Sequence, residues 1–444
     1  MTERPIGWVG IVRLGLIQAS LGAVVALATS TLNRIMVIEL ALPAIVPGAL
    51  VALHYAVQVL RPRMGYGADV GGRQTPWIVG GMAMLASGGV CAATATAWMG
   101  TNLGCGMALA ALGFLLVGIG VGAAGTSLLV LMAKRVEAGR RAAAASILWL
   151  MMIAGIAITA IVAGRLLDPF SPARLVAVTG CVCAATLLVS CLAIRNIEGP
   201  AHLPASGSAA PGFFTALREI WSEPRARRFA QFVFVSMLAY SAQELIIEPF
   251  AGAVFALTPG QSTSLTGLQH VGVLTGMLVV ALVGSRTGGM RVRSMQFSTV
   301  GGCLGSAAAI LVLACSRMIG TAFPLRIVIV ALGMANGVFA VSAIGSMMGL
   351  AGAGRSSREG VRMGLWGAAQ AVAFGLGGLL GPGASDIARA VLGSPIAAYS
   401  AVFVGEAALF LVAACLAAGV FRDAADRASP DAQPIGKIRA AQPG

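Results

Sequence analysis

The stretch STLNRIMVIELALP, residues 30–43, decides how the chain is read. It continues an apolar run that begins near residue 14, yet it carries Arg34 and Glu39. A charged side chain near the centre of a bilayer costs roughly 2.5–3.5 kcal/mol on insertion scales. Five residues on an α-helix is a rotation of about 140°, so the two charges are expected on different faces. Each then needs a partner on another helix, a wet cavity, or a position at the membrane interface.

The rest of the sequence supports lipid as the surroundings. Of 444 residues 58% are hydrophobic and 10% charged, where soluble domains carry about 25% charged. No charge occurs between Arg73 and Lys134, and only Gly100-Thr101-Asn102 interrupts the apolar run. At roughly 20 residues per span, that stretch is two spans and a turn. Apolar segments recur at about 14–37, 42–60, 77–98, 104–133, 143–164, 173–194, 229–256, 262–284, 295–316, 324–352, 363–382 and 396–421. Lipid offers no partner to a free backbone group, and no barrel-like alternation is visible. The expected fold is an all-α polytopic membrane protein with twelve transmembrane helices.

Orientation follows from the basic loops. With the N-terminus inside, the cytoplasmic segments hold all of the 30 Lys and Arg except Arg34, Arg165, Arg174, Arg317, Arg326 and Arg389. An even span count puts both termini in the cytoplasm. This asymmetry accounts for the net charge of +14 and leaves nothing that asks for nucleic acid. Eight cysteines lie mostly inside spans without a CxxC pair, so disulfides and zinc are not expected. The first span is too long, and too weakly followed by a cleavage site, for a removable signal, so it should remain as an anchor.

The chain repeats itself. Pro43 and Pro259, His54 and His270, and Gly72 and Gly288 are each 216 residues apart, while Glu137/Arg140 and Glu359/Arg362 match at 222. Two six-span halves with parallel repeats resemble the major facilitator architecture. The expected division is an N-terminal half over 1–194, a linker over 195–228, a C-terminal half over 229–421 and a tail over 422–444. Within the linker, GPAHLPASGSAAPG (199–212) is a flexible segment. FFTALREIWSEPRARRF (213–229) puts Phe213, Leu217, Ile220 and Trp221 on one stripe, as an interfacial helix would.

GYGADVGGRQ, residues 65–74, resembles the facilitator motif between spans two and three. Its glycines allow a tight turn. Asp69 can accept from a neighbouring helix N-terminus and Arg73 can pair with a carboxylate. Gly65, Asp69, Gly72 and Arg73 are therefore the expected cytoplasmic gate. The second copy, GSRTGGMR (284–291), lacks the acid. Many of the 59 glycines serve close helix packing, as in GIGVG (118–122) and GGLLG (377–381). GVGAAG (120–125) matches a dinucleotide fingerprint only formally, because no strand precedes it. In SAQELIIEPF (241–250), Glu244 and Glu248 stack one turn apart, and two such carboxylates resist ionising together in a low dielectric. Glu406 is a lone acid expected to pack between the halves.

TLNRIMVIELALPA (31–44) with LVALHYAVQVLRPRMGYGADVGGRQTPWI (50–78) resembles the bacteriochlorophyll delivery branch of the major facilitator superfamily, the PucC family. The likeness runs over nearly the whole chain. The shorter loop RPRMGYGADVGGRQTPW makes it more similar to the member encoded beside the bacteriochlorophyll synthase genes. The resemblance implies a bacterial inner or intracytoplasmic photosynthetic membrane and (bacterio)chlorophyll or a precursor as bound ligand. Partners implied are pigment-synthesis enzymes and light-harvesting or reaction-centre polypeptides.

A prenyltransferase would need clustered aspartates to hold diphosphate through magnesium. The six here (69, 168, 386, 423, 426 and 431) form no such motif, so an accessory protein without catalysis is expected. A proton-coupled carrier of a small solute is the alternative. Against it, polar groups in the spans are few, and an apolar cavity suits a macrocycle and phytyl chain better. Within the spans the histidines are His54 and His270, related by the repeat. Neutral imidazole is a common metal ligand, so both are candidate axial ligands of pigment magnesium, with Gln58 and Gln269 as hydrogen-bonding neighbours. A histidine bonded across helices is the competing structural role.

Overall fold

Long uncharged segments with no water to satisfy their backbone must close their hydrogen bonds internally, and they do so as helices. A computed structural model describes residues 6–58, 73–137, 140–199, 222–286, 292–316, 323–352 and 359–425. The helices are α1 Trp8–Glu39, α2 Ile45–Val57, α3 Thr75–Met99, α4 Leu103–Arg135, α5 Arg141–Leu167 and α6 Pro172–Ile194. The second series is α7 Pro224–Phe255, α8 Pro259–Arg286, α9 Val292–Ala314, α10 Leu325–Gly352, α11 Glu359–Leu392 and α12 Pro395–Ala425. Among the described residues eleven are long and apolar enough to span a membrane, and α2 is the shorter twelfth.

The helix boundaries differ from the sequence reading most at the end of α11. α11 runs to Leu392 rather than stopping at Pro382, and Pro249 likewise sits inside α7. In a bundle, neighbouring helices cover the carbonyl that proline frees. α7 begins at Pro224, so the basic PRARR segment forms its first turns. The rest of the expected interfacial helix lies mostly outside the described residues.

Packing repeats with a shift of six helices. α1 packs on α5 and α6, α3 on α4 and α6, and α2 on α4. In the same way α7 packs on α11 and α12, α9 on α10 and α12, and α8 on α10. This is the architecture of two six-helix halves, and the halves meet along two seams, α2 with α11 and α5 with α8. Glycine makes both seams close. A Cβ on Gly48 of α2 would run into the Gly378 carbonyl of α11, and one on Gly164 of α5 would lie 2.6 Å from the Gly260 carbonyl of α8. Each half keeps an apolar core of its own, around Phe232, Phe339, Phe403 and Phe410 in the second and Leu14, Met82, Leu128 and Leu148 in the first.

Among the described residues, the connections at 40–44, 100–102, 168–171, 256–258 and 393–394, each leading from an odd to an even helix, lie at one face of the bundle, here called the Glu39 face. There the seams are closed by carboxylates. Asp386 on α11 accepts from the backbone of Ala44 (2.9 Å) and Ile45 (2.8 Å), the start of α2. Asp168, just beyond α5, accepts from Gly260 N (3.2 Å) and Thr258 Oγ1 (2.7 Å), the start of α8. Each acid thus satisfies otherwise orphaned N–H groups of a helix in the opposite half and meets its positive dipole end. The helices α1 and α7 also end alike. Ala41 (φ 51°) and Ala256 (φ 52°) are left-handed, with Leu42 N bonded to Met36 O (3.0 Å) and Leu257 N to Ala251 O (3.4 Å). This is the turn at which glycine is usual.

Two stability outcomes follow. Asp168→Ala and Asp386→Ala should each cost about 1 kcal/mol, the usual worth of a cap, and their effects should add because the seams are separate. Thermal unfolding in detergent measures both. Ala256→Gly should stabilise by up to about 1 kcal/mol, because an L-residue in the left-handed region carries about 1–2 kcal/mol of strain. A lowered midpoint in that variant would contradict the account of the turn.

Candidate functional site: the seam between the halves

Helix α1 is not α-helical throughout. Leu27–Thr31 and Ile35–Glu39 are π turns, and Leu40 N bonds to Ile35 O at 3.0 Å. A π turn closes from i to i+5, so the fifth residue stacks over the first. Arg34 and Glu39 therefore do share a face and form a direct ion pair, contrary to the α-helical expectation. Arg34 is 2% exposed and Glu39 34%. Arg34 also donates to Leu257 O at 2.6 Å, the carbonyl that the left-handed turn at Ala256 presents.

Below this pair, hydroxyls from both halves surround Glu248. Ser30 of α1 (2.6 Å) and Thr266 of α8 (2.5 Å) both donate to its Oε1. Thr31 and Thr263 pair beside them at 3.1 Å. Asn33 donates to Leu245 O at 2.7 Å, one turn along α7. Glu248 is fully buried and its Oε2 has no hydrogen-bond partner, nor does Asn33 Oδ1. Glu244 stacks one turn away, as the spacing implies, but is only partly buried.

The gate expected from sequence is only partly visible. Gly65, Asp69 and Gly72 lie outside the described residues. Arg73 lines a recess of about 640 Å³ with Arg195, Asn196 and Glu198. The carboxylate found on a helix N-terminus there is Glu198, which accepts from the backbone of Gln74 and, at 2.7 Å, of Thr75, the start of α3. Sequence reasoning missed Glu198, Asp168 and Asp386. The last two were findable, because they stand 218 residues apart, within the span of the other repeat offsets. Glu406 is buried in α12, which packs on α7, α9 and α11, so it sits inside the second half and not between the halves.

His54 and His270 are each 1% exposed. They are not brought together, since α2 and α8 are not among the main packed helix pairs. His54 Nε2 lies 2.9 Å from Gln58 Nε2 and its ring meets Tyr55 edge-on at 4.7 Å. His270 Nδ1 bonds to Thr266 O at 2.9 Å. Gln269 is buried against α10, where a Cβ on Gly333 would strike its carbonyl. Near His54, Tyr55 of α2 contacts Phe374 of α11 (5.1 Å), which contacts Tyr240 of α7 (6.1 Å). Tyr55, Tyr240, Glu244 and Phe374 are all partly exposed. Because α7 is packed by α1, α8, α11 and α12, the exposed part of Tyr240 and Glu244 faces the interior between the halves, with Phe374 against Tyr240 and Tyr55 against Phe374.

Residues 31–425 match the family described as PUCC protein. The chain belongs to the PucC family. A Rhodobacter capsulatus relative called bacteriochlorophyll synthase 44.5 kDa chain is 50% identical over 94% of this chain and 96% of its own length. Protein PucC of the same species is 28% identical over 92% and 91%. Among solved structures, a bacterial homologue of human drug peptide transporters aligns with a TM-score of 0.69 at 14% identity, covering 94% of this chain and 99% of its own. An inward-facing bacterial homologue of the lysosomal transporter Spinster gives 0.66 at 15%, covering 95% and 98%. The fold of this PucC-family protein is thus that of major facilitator transporters, and it is a multi-pass membrane protein.

The ion pair gives an asymmetric expectation. Glu39→Leu leaves Arg34 buried without its carboxylate and should cost about 3 kcal/mol, the scale for breaking a buried pair. Arg34→Leu strands an acid that water can already reach and should cost less. Equal losses in thermal stability would show that the pair does not hold the segment.

Proposed function

We propose that this PucC-family protein binds a bacteriochlorophyll or one of its precursors and passes it on, without catalysing a reaction, during pigment synthesis and the assembly of light-harvesting or reaction-centre polypeptides. It would do so in the inner or intracytoplasmic photosynthetic membrane, with both termini in the cytoplasm. The name of its 50%-identical relative supports the association with bacteriochlorophyll. The observation that carries the reading is the Tyr55–Phe374–Tyr240 cluster, contributed by helices of both halves and facing the interior. Only four tyrosines occur in the chain, and two are used here. Flat aromatic faces suit a tetrapyrrole ring by offset or edge stacking, and the apolar spans around them suit a prenyl chain.

The two histidines fit this ligand unequally. His270 donates through Nδ1 to a backbone carbonyl, the arrangement that leaves Nε2 as a neutral lone pair for magnesium. His54 has Nε2 engaged with Gln58, so it would have to release that bond before ligating; its place beside the aromatic cluster favours a hydrogen-bonding role. Purified wild type should therefore carry pigment, read by its absorption spectrum. Tyr55→Ala and Phe374→Ala should each retain about three- to tenfold less, the worth of about 1 kcal/mol of ring contact. Wild-type pigment in both variants would remove the cluster from the site.

A proton-coupled carrier of a small solute is the second reading. It draws on one observation, the cage of hydroxyls about Glu248 between the halves.

A further inference from the structure

Glu248 presents an incomplete hydrogen-bond inventory. Ser30 and Thr266 spend both hydroxyl hydrogens on Oε1, so their own 3.4 Å contact holds no hydrogen. Oε2 makes no hydrogen bond, although the Thr263 hydroxyl stands near the carboxylate and the side chain is fully buried. An ionised oxygen left so is costly, and a hydroxyl left so wants an acceptor. Nearby, Arg34 has a second orphan, its buried Nε. Arg34 lies against Gly252, where a Cβ would be 3.0 Å from Nη2, and Gly252 is one turn along α7 from Glu248. The guanidinium is within electrostatic reach of that carboxylate while bonded to Glu39. One cation thus serves two acids, and its unused N–H and the unused oxygen lie on the same side of α7.

We propose that Glu248 is a proton-binding site at the seam between the halves, and that Arg34 exchanges between Glu39 and Glu248 as that proton leaves and returns. With the proton on Oε2 the glutamate is neutral and Arg34 keeps the pair with Glu39 that the structure shows. When the O–H bond breaks and water takes the proton, the carboxylate draws Arg34 Nε onto Oε2 and weakens the bond to Glu39. An alkali cation is the poorer occupant, because the guanidinium already supplies positive charge beside the site. Other ionisable groups on the packed elements are few among the described residues. Leaving aside the helix ends at the opposite face, they are Glu244 and Tyr240 on α7, His270 on α8, Asp386 and Arg389 at the Glu39 face of α11, and Tyr399 and Glu406 on α12. The Glu248 site does not depend on pigment.

The test is infrared difference spectroscopy of the full-length protein across a pH titration in H2O and D2O. Wild type should show a protonated-carboxyl stretch that shifts on deuteration and titrates. Glu248→Gln should lose that band, whereas Glu244→Gln and Glu406→Gln should retain it. Ser30→Ala with Thr266→Val keeps the acid and removes its donors, so it should displace the midpoint of the titration. Arg34→Lys should displace it as well. A band that survives in Glu248→Gln, or a midpoint unmoved by loss of both hydroxyl donors, overturns the proposal. So does a band that responds to sodium at constant pH but not to protons.

Discussion

Two backbone amides at the start of α2, and one amide with one hydroxyl at the start of α8, have their partners in the other half of the molecule. Everything else about the interface follows from that constraint. A helix that begins within the bundle needs acceptors for its first N–H groups, and Asp386 and Asp168 provide them only while α11 lies on α2 and α5 on α8. Glycines at both seams let the backbones come close enough for short carboxylates to reach. The attachments all lie at one face, so the halves are fastened there by charge and dipole.

The fold was largely legible in the sequence. Span number, the two halves and the repeat all come from apolar run length and from residues at a fixed offset, which are one-dimensional signals. Pro382 misled the end of α11, because proline stops a helix in water more firmly than in a bundle that can cover its freed carbonyl. The charged segment was legible in composition but not in geometry. Nothing in STLNRIMVIELALP announces a π turn, and the shift from 3.6 residues per turn decided whether Arg34 and Glu39 meet. The aromatic cluster was also out of reach, since Tyr55, Tyr240 and Phe374 lie on three helices and share no spacing.

The polar groups of the spans sort themselves by which half supplies the partner. Ser30, Thr31, Asn33 and Arg34 all reach across to the second half, to Glu248, Thr263, Leu245 and Leu257. By contrast, Ser306 and Asn336 bond within it at 2.7 Å. The first group would have to be rearranged if the halves moved, and the second would not. The charged stretch of α1 is thus less a defect in a transmembrane helix than the part of it that reads the position of the other half.

Residues 40–43 are all that separate Glu39 from the Ala44 amide held by Asp386. Ala41 is wound left-handed and Leu42 is tied back to Met36, so the connection has little slack. It behaves as a crank joining two bearings. The Arg34–Glu39 pair and the Asp386 seam are in this way joined by a short, tied stretch of chain, and neither can shift far without straining the other.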